Sequence, residues 1–459
     1  MGRKYIDLPD HARRDFIKWT VGLGAALGLK PWKVFEAQES VVGPAVAQEA
    51  SCAPVNRFVG NIMGNGGFAW MTQLWPFPEI ATKQGASFYA TGQATAQAQD
   101  QGDKPFMLSP AAPKFAGKKM TGFLAGTNET HTSRPTSSTT IGTGVGMFAA
   151  VAALQTASPT LVPSIGIGML PYGTAAGAPA IASVSDPSGM VGLFNSAAST
   201  AGGALVKAGD ASLFEAYYKA NLSLHKAAAR PTMTSGYLTG KVASNLLGRN
   251  LASQLMPTAD DYARYGVSSG TASKLLAIAT TLITTVKVFK LNLTNAVLLP
   301  GMQDDPHGAF GDMAGLQSTA MTLGKIWDGF MGDLMATDDP LCSGAKMGDN
   351  IVITWCGDTP KDPNTPSGWP DGTPNNANWI YALGNGQLKA GWFGQVKGDG
   401  TIMTWDPTTG ADMAGGSTAN LAPPADAAVL FAVCKGDMRR VQDFYRGAGI
   451  DGVVNLKTT

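Results

Sequence analysis

The sequence has little charge. Lys, Arg, Asp and Glu supply 15% of its 459 residues, and the formal net charge is +1. A chain this neutral lacks the basic footprint of a nucleic-acid binder, which argues against that class of partner. Long apolar runs are also missing. No stretch reaches the ~20 residues that a membrane-spanning helix needs. Cysteine is scarce: Cys52, Cys342, Cys356 and Cys434 are the full set, and none stands at the Cys-x-x-Cys spacing of a zinc knuckle. Histidine is scarcer still where it matters. Beyond the first fifty residues only His131, His225 and His307 remain. Few imidazoles restrict the acid–base and metal chemistry available. Glycine, by contrast, is plentiful, with 57 residues. Alanine, serine and threonine crowd the first half.

The first fifty residues read as a targeting segment. Arg13 and Arg14 precede Asp15, Phe16, Ile17 and Lys18. This run resembles the recognition motif of the twin-arginine export pathway. A mildly apolar stretch from Trp19 to Leu29 follows, too short to cross a bilayer. Ala45, Val46 and Ala47 then offer small residues suited to a signal peptidase. The expectation is a signal segment over residues 1–50 and one mature domain over 51–459, working in the periplasm or outside the cell. Any membrane contact would run through an uncleaved signal. An even cysteine count in an oxidising compartment permits two disulfides. Cys342 and Cys356, close in sequence, are the expected pair, with free buried thiols as the alternative.

Hydrophobic patterning places the elements. Val55 to Met63 reads as a strand running into the turn Gly64-Asn65-Gly66-Gly67. Gly146 to Gln155 reads as a helix and Leu161 to Leu170 as a buried strand. Residues 172–210 are weakly patterned and read as loop. Helical spacing appears over Leu213 to Lys226, Gly240 to Leu255, Thr271 to Lys287 and Leu316 to Met335. Phe289 to Leu299, Asn350 to Trp355 and Trp379 to Leu383 read as strands. Alternation of this kind predicts an α/β fold with a large, mostly parallel sheet flanked by helices.

Four stretches carry a family resemblance. They are the strand ending at Gly66-Gly67, the Ser/Thr-rich segment reaching Gly142 and Gly144, the loop Asp304-Asp305-Pro306-His307-Gly308, and Gly357-Asp358-Thr359-Pro360. In this order they resemble twin-arginine-exported bacterial proteins of the alkaline phosphatase and sulfatase superfamily. The resemblance implies an alkaline-phosphatase-like sheet with a metal centre at the carboxyl ends of its strands. Asp305 and His307 match the family's Asp-x-His. Asn65 stands where active members use an aspartate, Trp355 replaces an acidic ligand, and Asp358 replaces an arginine.

The expected ligand set is therefore Asn65, Asp304, Asp305, His307 and Asp358, with Asp312 in the same loop as His307 and Asp371 as another carboxylate in reach. Oxygen ligands with one imidazole suit a single calcium, magnesium or manganese ion. Thr130, His131 and Thr136 are the catalytic candidates, as a hydroxyl nucleophile beside a base. A polar glycine-rich loop is the bland reading of the same segment. Trp355, Trp369, Trp379, Trp392 and Trp405 form either a binding surface or core packing. Two functions follow from the resemblance. One is a catalytically degenerate member with a binding or structural role in the cell envelope, partnered by an envelope protein or by its own copies. The other is a metal-dependent hydrolase of phosphate or sulfate esters.

Overall fold

Strand β1 (Arg57–Met63) is buried along its whole length, which a strand achieves only at the centre of a covered sheet. The computed structural model describes residues 52–64, 74–75, 95–96, 107–108, 111–132, 135–158, 160–168, 172–199, 217, 220, 223, 251–302, 307, 312–360, 362, 364–365, 371 and 374–456. The expected signal segment, Asn65, Asp304, Asp305, Trp369 and most of the helices expected over 213–226 and 240–255 lie outside these residues.

Seven further strands join β1: β2 (Thr121–Thr127), β3 (Ser164–Ile167), β4 (Ala182–Val184), β5 (Ala296–Pro300), β6 (Ile351–Gly357), β7 (Ala377–Leu383) and β8 (Gly391–Phe393). Their order across the sheet is β8-β2-β7-β6-β1-β5-β3-β4. Only β7 pairs antiparallel with its neighbours β6 and β2; every other pairing is parallel. The α/β class is thus the observed one. The sheet belongs to the compact unit formed by Cys52–Ser158, Val162–Asn195 and Leu251–Thr459.

The two-residue period of a strand sorts side chains onto two faces. In β1 and β6, Phe58 lies opposite Val352 and Ile62 opposite Cys356. These residues share a core with α1 (Met147–Gln155) and α5 (Ala422–Val433). Both helices are apolar nearly all round, as buried helices are. Pro423 and Pro424 open α5, where a missing N–H costs nothing and the fixed φ suits the first turn. The other face carries Arg57 and Trp355. Arg57 lies over the Phe289 ring of α3 (Ser273–Lys290), and Trp355 meets Trp327 of α4 (Met313–Ala336) with ring centroids 4.9 Å apart. Asp312 caps α4 by accepting from the Gly315 N–H at 2.9 Å.

Several expectations need correction. The disulfide joins Cys52 to Cys342, and Cys356 and Cys434 are free and buried. Closeness in sequence misled, because Cys356 lies on a strand face turned into the core. Helix α3 continues through Lys290, so the strand expected from Phe289 begins only at Ala296. Residues 172–210 include β4 and a helix over Pro187–Ser199. Strand β2 and helix α5 are additional elements that composition concealed. β2 is Thr- and Gly-rich, and α5 begins with two prolines.

At the amino edge of the sheet, a buried ion pair anchors β1. Arg57 Nη2 donates to Asp339 Oδ1 at 2.7 Å, and Asn350 Nδ2 donates to Asp339 Oδ2 at 2.8 Å. Burial disfavours the Asp339 carboxylate, but the Arg57 hydrogen bond and charge outweigh it and hold the carboxyl below its ordinary range.

Candidate metal centre

Parallel strands present their carboxyl ends to one edge, and loops leaving that edge are where α/β proteins bind ligands. Backbone hydrogen bonds stitch these loops together. The Asp358 N–H, just past β6, donates to Met63 O at the end of β1 at 3.1 Å. The Glu129 N–H, just past β2, donates to Asp358 O at 2.9 Å, and the Asn128 N–H donates to Asn376 O at 3.0 Å. Asn378 Nδ2 donates to Gly357 O at 2.9 Å and joins the start of β7 to the end of β6.

The β2 loop then turns sharply. Thr130 and His131 have φ values of 41° and 56°, a left-handed conformation that costs non-glycine residues roughly 1–2 kcal/mol each. Asn128 supports the turn: its Oδ1 accepts from the Thr130 N–H at 3.1 Å. Thr359 Oγ1 accepts from the His131 N–H at 2.7 Å. A strained turn held by its surroundings fixes the imidazole's position, and such strain gathers at functional sites.

The His131 ring so placed meets a partner from each of two other loops. His131 Nε2 lies 2.9 Å from Asp371 Oδ2, and His307 Nε2 lies 3.2 Å from Asp371 Oδ1. The two imidazole centroids are 6.3 Å apart. One ligand atom from each of the three residues falls within 4.8 Å of the others, the one such grouping among the described residues. The two histidine–Asp371 separations run to different carboxylate oxygens, and each lies near the spacing of two donors on one ion. Two atoms each about 2.0–2.1 Å from a tetrahedral ion lie about 3.3 Å apart. The donor set, two imidazoles and a carboxylate, leaves coordination positions open, as reactive metal sites do. Both histidines are part-exposed, so solvent and small molecules reach the site.

The other expected site residues are distributed around this cluster. Thr136 binds the Glu129 carboxylate twice, its N–H donating to Oε2 at 2.6 Å and its hydroxyl donating to Oε1. The Thr130 hydroxyl accepts from Asn128 Nδ2 at 3.1 Å. Asp358 is fully buried and stands outside the ligand grouping. Asp371 supplies the carboxylate in its place, as the second of the two candidates from that loop. Asp312 is a helix cap. Joining His131 to His307 was not legible from spacing, since 176 residues separate them (307 − 131). Trp355, Trp392 and Trp405 are core residues and Trp379 is half-buried, so tryptophan density here reflects packing.

Compared with protein-family models, with curated proteins and with solved structures, the chain matches none. Among the described residues, no helix is long and apolar enough to cross a membrane.

Proposed function

We propose that this chain is an exported protein of alkaline-phosphatase-like architecture that holds one divalent metal ion on His131, His307 and Asp371 and hydrolyses phosphate or sulfate esters. The convergence of two imidazoles on one carboxylate, from the loops after β2, β5 and β6, carries the proposal. Two nitrogen donors move the favoured ion from calcium or magnesium towards manganese, zinc or iron.

When bound, such an ion supplies Lewis-acid stabilisation of an ester oxygen and a nucleophilic water. The chain's own groups divide the remaining work. Asp371 would supply the carboxylate ligand between the two imidazoles. Glu129 holds the Thr136 hydroxyl, and a hydroxyl beside a carboxylate is an arrangement that activates oxygen for attack. The left-handed turn at Thr130 and His131 keeps the first imidazole aimed. Arg13 and Arg14 support export of the protein to the periplasm or beyond.

A second reading keeps the same fold without catalysis, as an envelope protein that binds a partner or its own copies. Asn65 and Trp355, at positions where the family resemblance calls for acidic ligands, favour it. Metal analysis of the protein purified without chelators separates the two, combined with a screen of phosphate and sulfate esters. A near-stoichiometric ion that His307→Ala removes, with ester turnover lost in parallel, supports the hydrolase. A folded, metal-free protein that cleaves no ester would sink it and leave the binding role.

A further inference from the structure

Beside the Glu129–Thr136 pair lies a cavity of about 170 Å³. Ile62, Phe148, Tyr172 and Pro135 form its apolar walls, and Thr136, Thr139 and Thr140 line another side. Among the described residues, no charged side chain lines it. Size and lining together restrict the occupant. A dry cavity of about 150 Å³ walled by aliphatic and aromatic side chains is large enough to bind benzene. An ionised guest would lose its hydration here without gaining a counter-charge.

The walls are firmly placed. Ile62 stands one residue before the end of β1 and Phe148 is the second residue of α1, two elements of the central core. Gly146 and Gly173 pass so closely that a Cβ on Gly146 would lie 2.7 Å from the Tyr172 carbonyl oxygen. The Gly146 N–H donates to Thr174 O at 3.0 Å and ties the Tyr172 side of the pocket to the start of α1. Phe148 and Tyr172 meet edge to face, with centroids 5.9 Å apart, and present one aromatic corner. Thr136 belongs both to the cavity lining and to the Glu129 pair, and Glu129 is two residues from His131. One loop, 127–140, therefore links the pocket to the metal ligands.

We infer that this cavity is a subsite for an uncharged, ring-sized organic alcohol, with its ring against Ile62, Phe148 and Tyr172 and its hydroxyl towards the threonines. The assignment rests on the proposed hydrolase only in identifying that guest as the organic half of the ester; the pocket itself is testable without metal. Phenol is the probe.

Phenol binding is measured by titration calorimetry and ligand-observed NMR on full-length protein, with and without chelator. Saturable binding at millimolar concentration or tighter, unchanged by chelator, is expected. Thr140→Phe should fill the pocket and weaken phenol at least tenfold without altering metal content. Ile62→Ala should enlarge it and shift preference from phenol to 2-naphthol. Absence of saturable phenol binding to folded protein overturns the inference, as does equal binding by folded Thr140→Phe or a preference for glucose over phenol. Phenol binding without ester turnover would instead overturn the hydrolase and leave the pocket standing.

Discussion

Cys52 and Cys342 are bonded across a sequence separation of 290 residues, and the bond lies beside the amino edge of the sheet. The Ala53 N–H donates to Leu341 O at 3.1 Å, and two residues before Leu341 stands Asp339, the partner of Arg57. Closing so long a loop removes much freedom from the unfolded chain. The chain-entropy model gives roughly 6 kcal/mol as a ceiling, with about 2–4 kcal/mol typical. Reduction, or Cys52→Ala, is expected to lower stability by about 2–4 kcal/mol in denaturant titrations. Thiol labelling of the unreduced, denatured protein should count two free cysteines, Cys356 and Cys434. Four would exclude the bond.

The buried pair Arg57–Asp339 makes a sharper prediction. Breaking it from one side leaves a charge in the core, so Asp339→Ala should cost about 3–5 kcal/mol. The Asp339 carboxyl is held low in the folded state, so its contribution is present above the ordinary aspartate range and fades as pH falls through the lower folded value. Wild-type protein should lose this increment in acid, and Asp339→Ala should show a flatter acid limb. Identical acid limbs would remove Asp339 as the cause.

Asp426 predicts the opposite pH dependence. It lies fully buried on α5 with no hydrogen-bond partner for either oxygen among the described residues, and burial pushes its carboxyl well above the usual range. The folded protein therefore keeps a proton that the unfolded chain releases near pH 4. Stability falls as pH rises from there towards the folded value. Asp426→Asn abolishes that dependence. Its unfolding free energy should match wild type at pH 4 and exceed it at pH 9, by an increment on the order of 1–3 kcal/mol. A variant no more stable than wild type at pH 9 would show that the carboxylate finds a partner.

At the proposed metal centre, each of His131→Ala, His307→Ala and Asp371→Ala should weaken metal binding by more than about 100-fold. Loss of a second-shell partner alone costs about 10–100-fold. Protons compete for the same imidazole nitrogens, so affinity should also decline as pH falls. Competition titrations with a chromophoric chelator read both effects. Wild-type affinity in all three variants would mean the ion sits elsewhere.

The sheet was largely legible because its central strands carry their own signal. Ile351 to Trp355 is β-branched and apolar, and β1 is followed by a glycine-rich sequence. Strand β2 was hidden because its sequence, Thr-Gly-Phe-Leu-Ala-Gly-Thr, takes its strand character from neighbours rather than from propensity. His131 and Asp371 were singled out as candidates from their chemistry, and His307 from the family resemblance. Their union was not, because loops leaving different strands meet through sheet order, which local sequence does not encode. The disulfide failed for the same reason.

The reversed strand β7 has a further effect on how the molecule can change. It starts, rather than ends, at the reactive edge, so the chain leaves β6 and re-enters β7 without crossing the sheet. The Asp371 loop is therefore a closed excursion between two adjacent strands, while His131 and His307 sit on passages that lead to helices. Length and composition can drift in that excursion without shifting any helix. Evolution of a new specificity would have its cheapest material there, in the loop that carries Asp371.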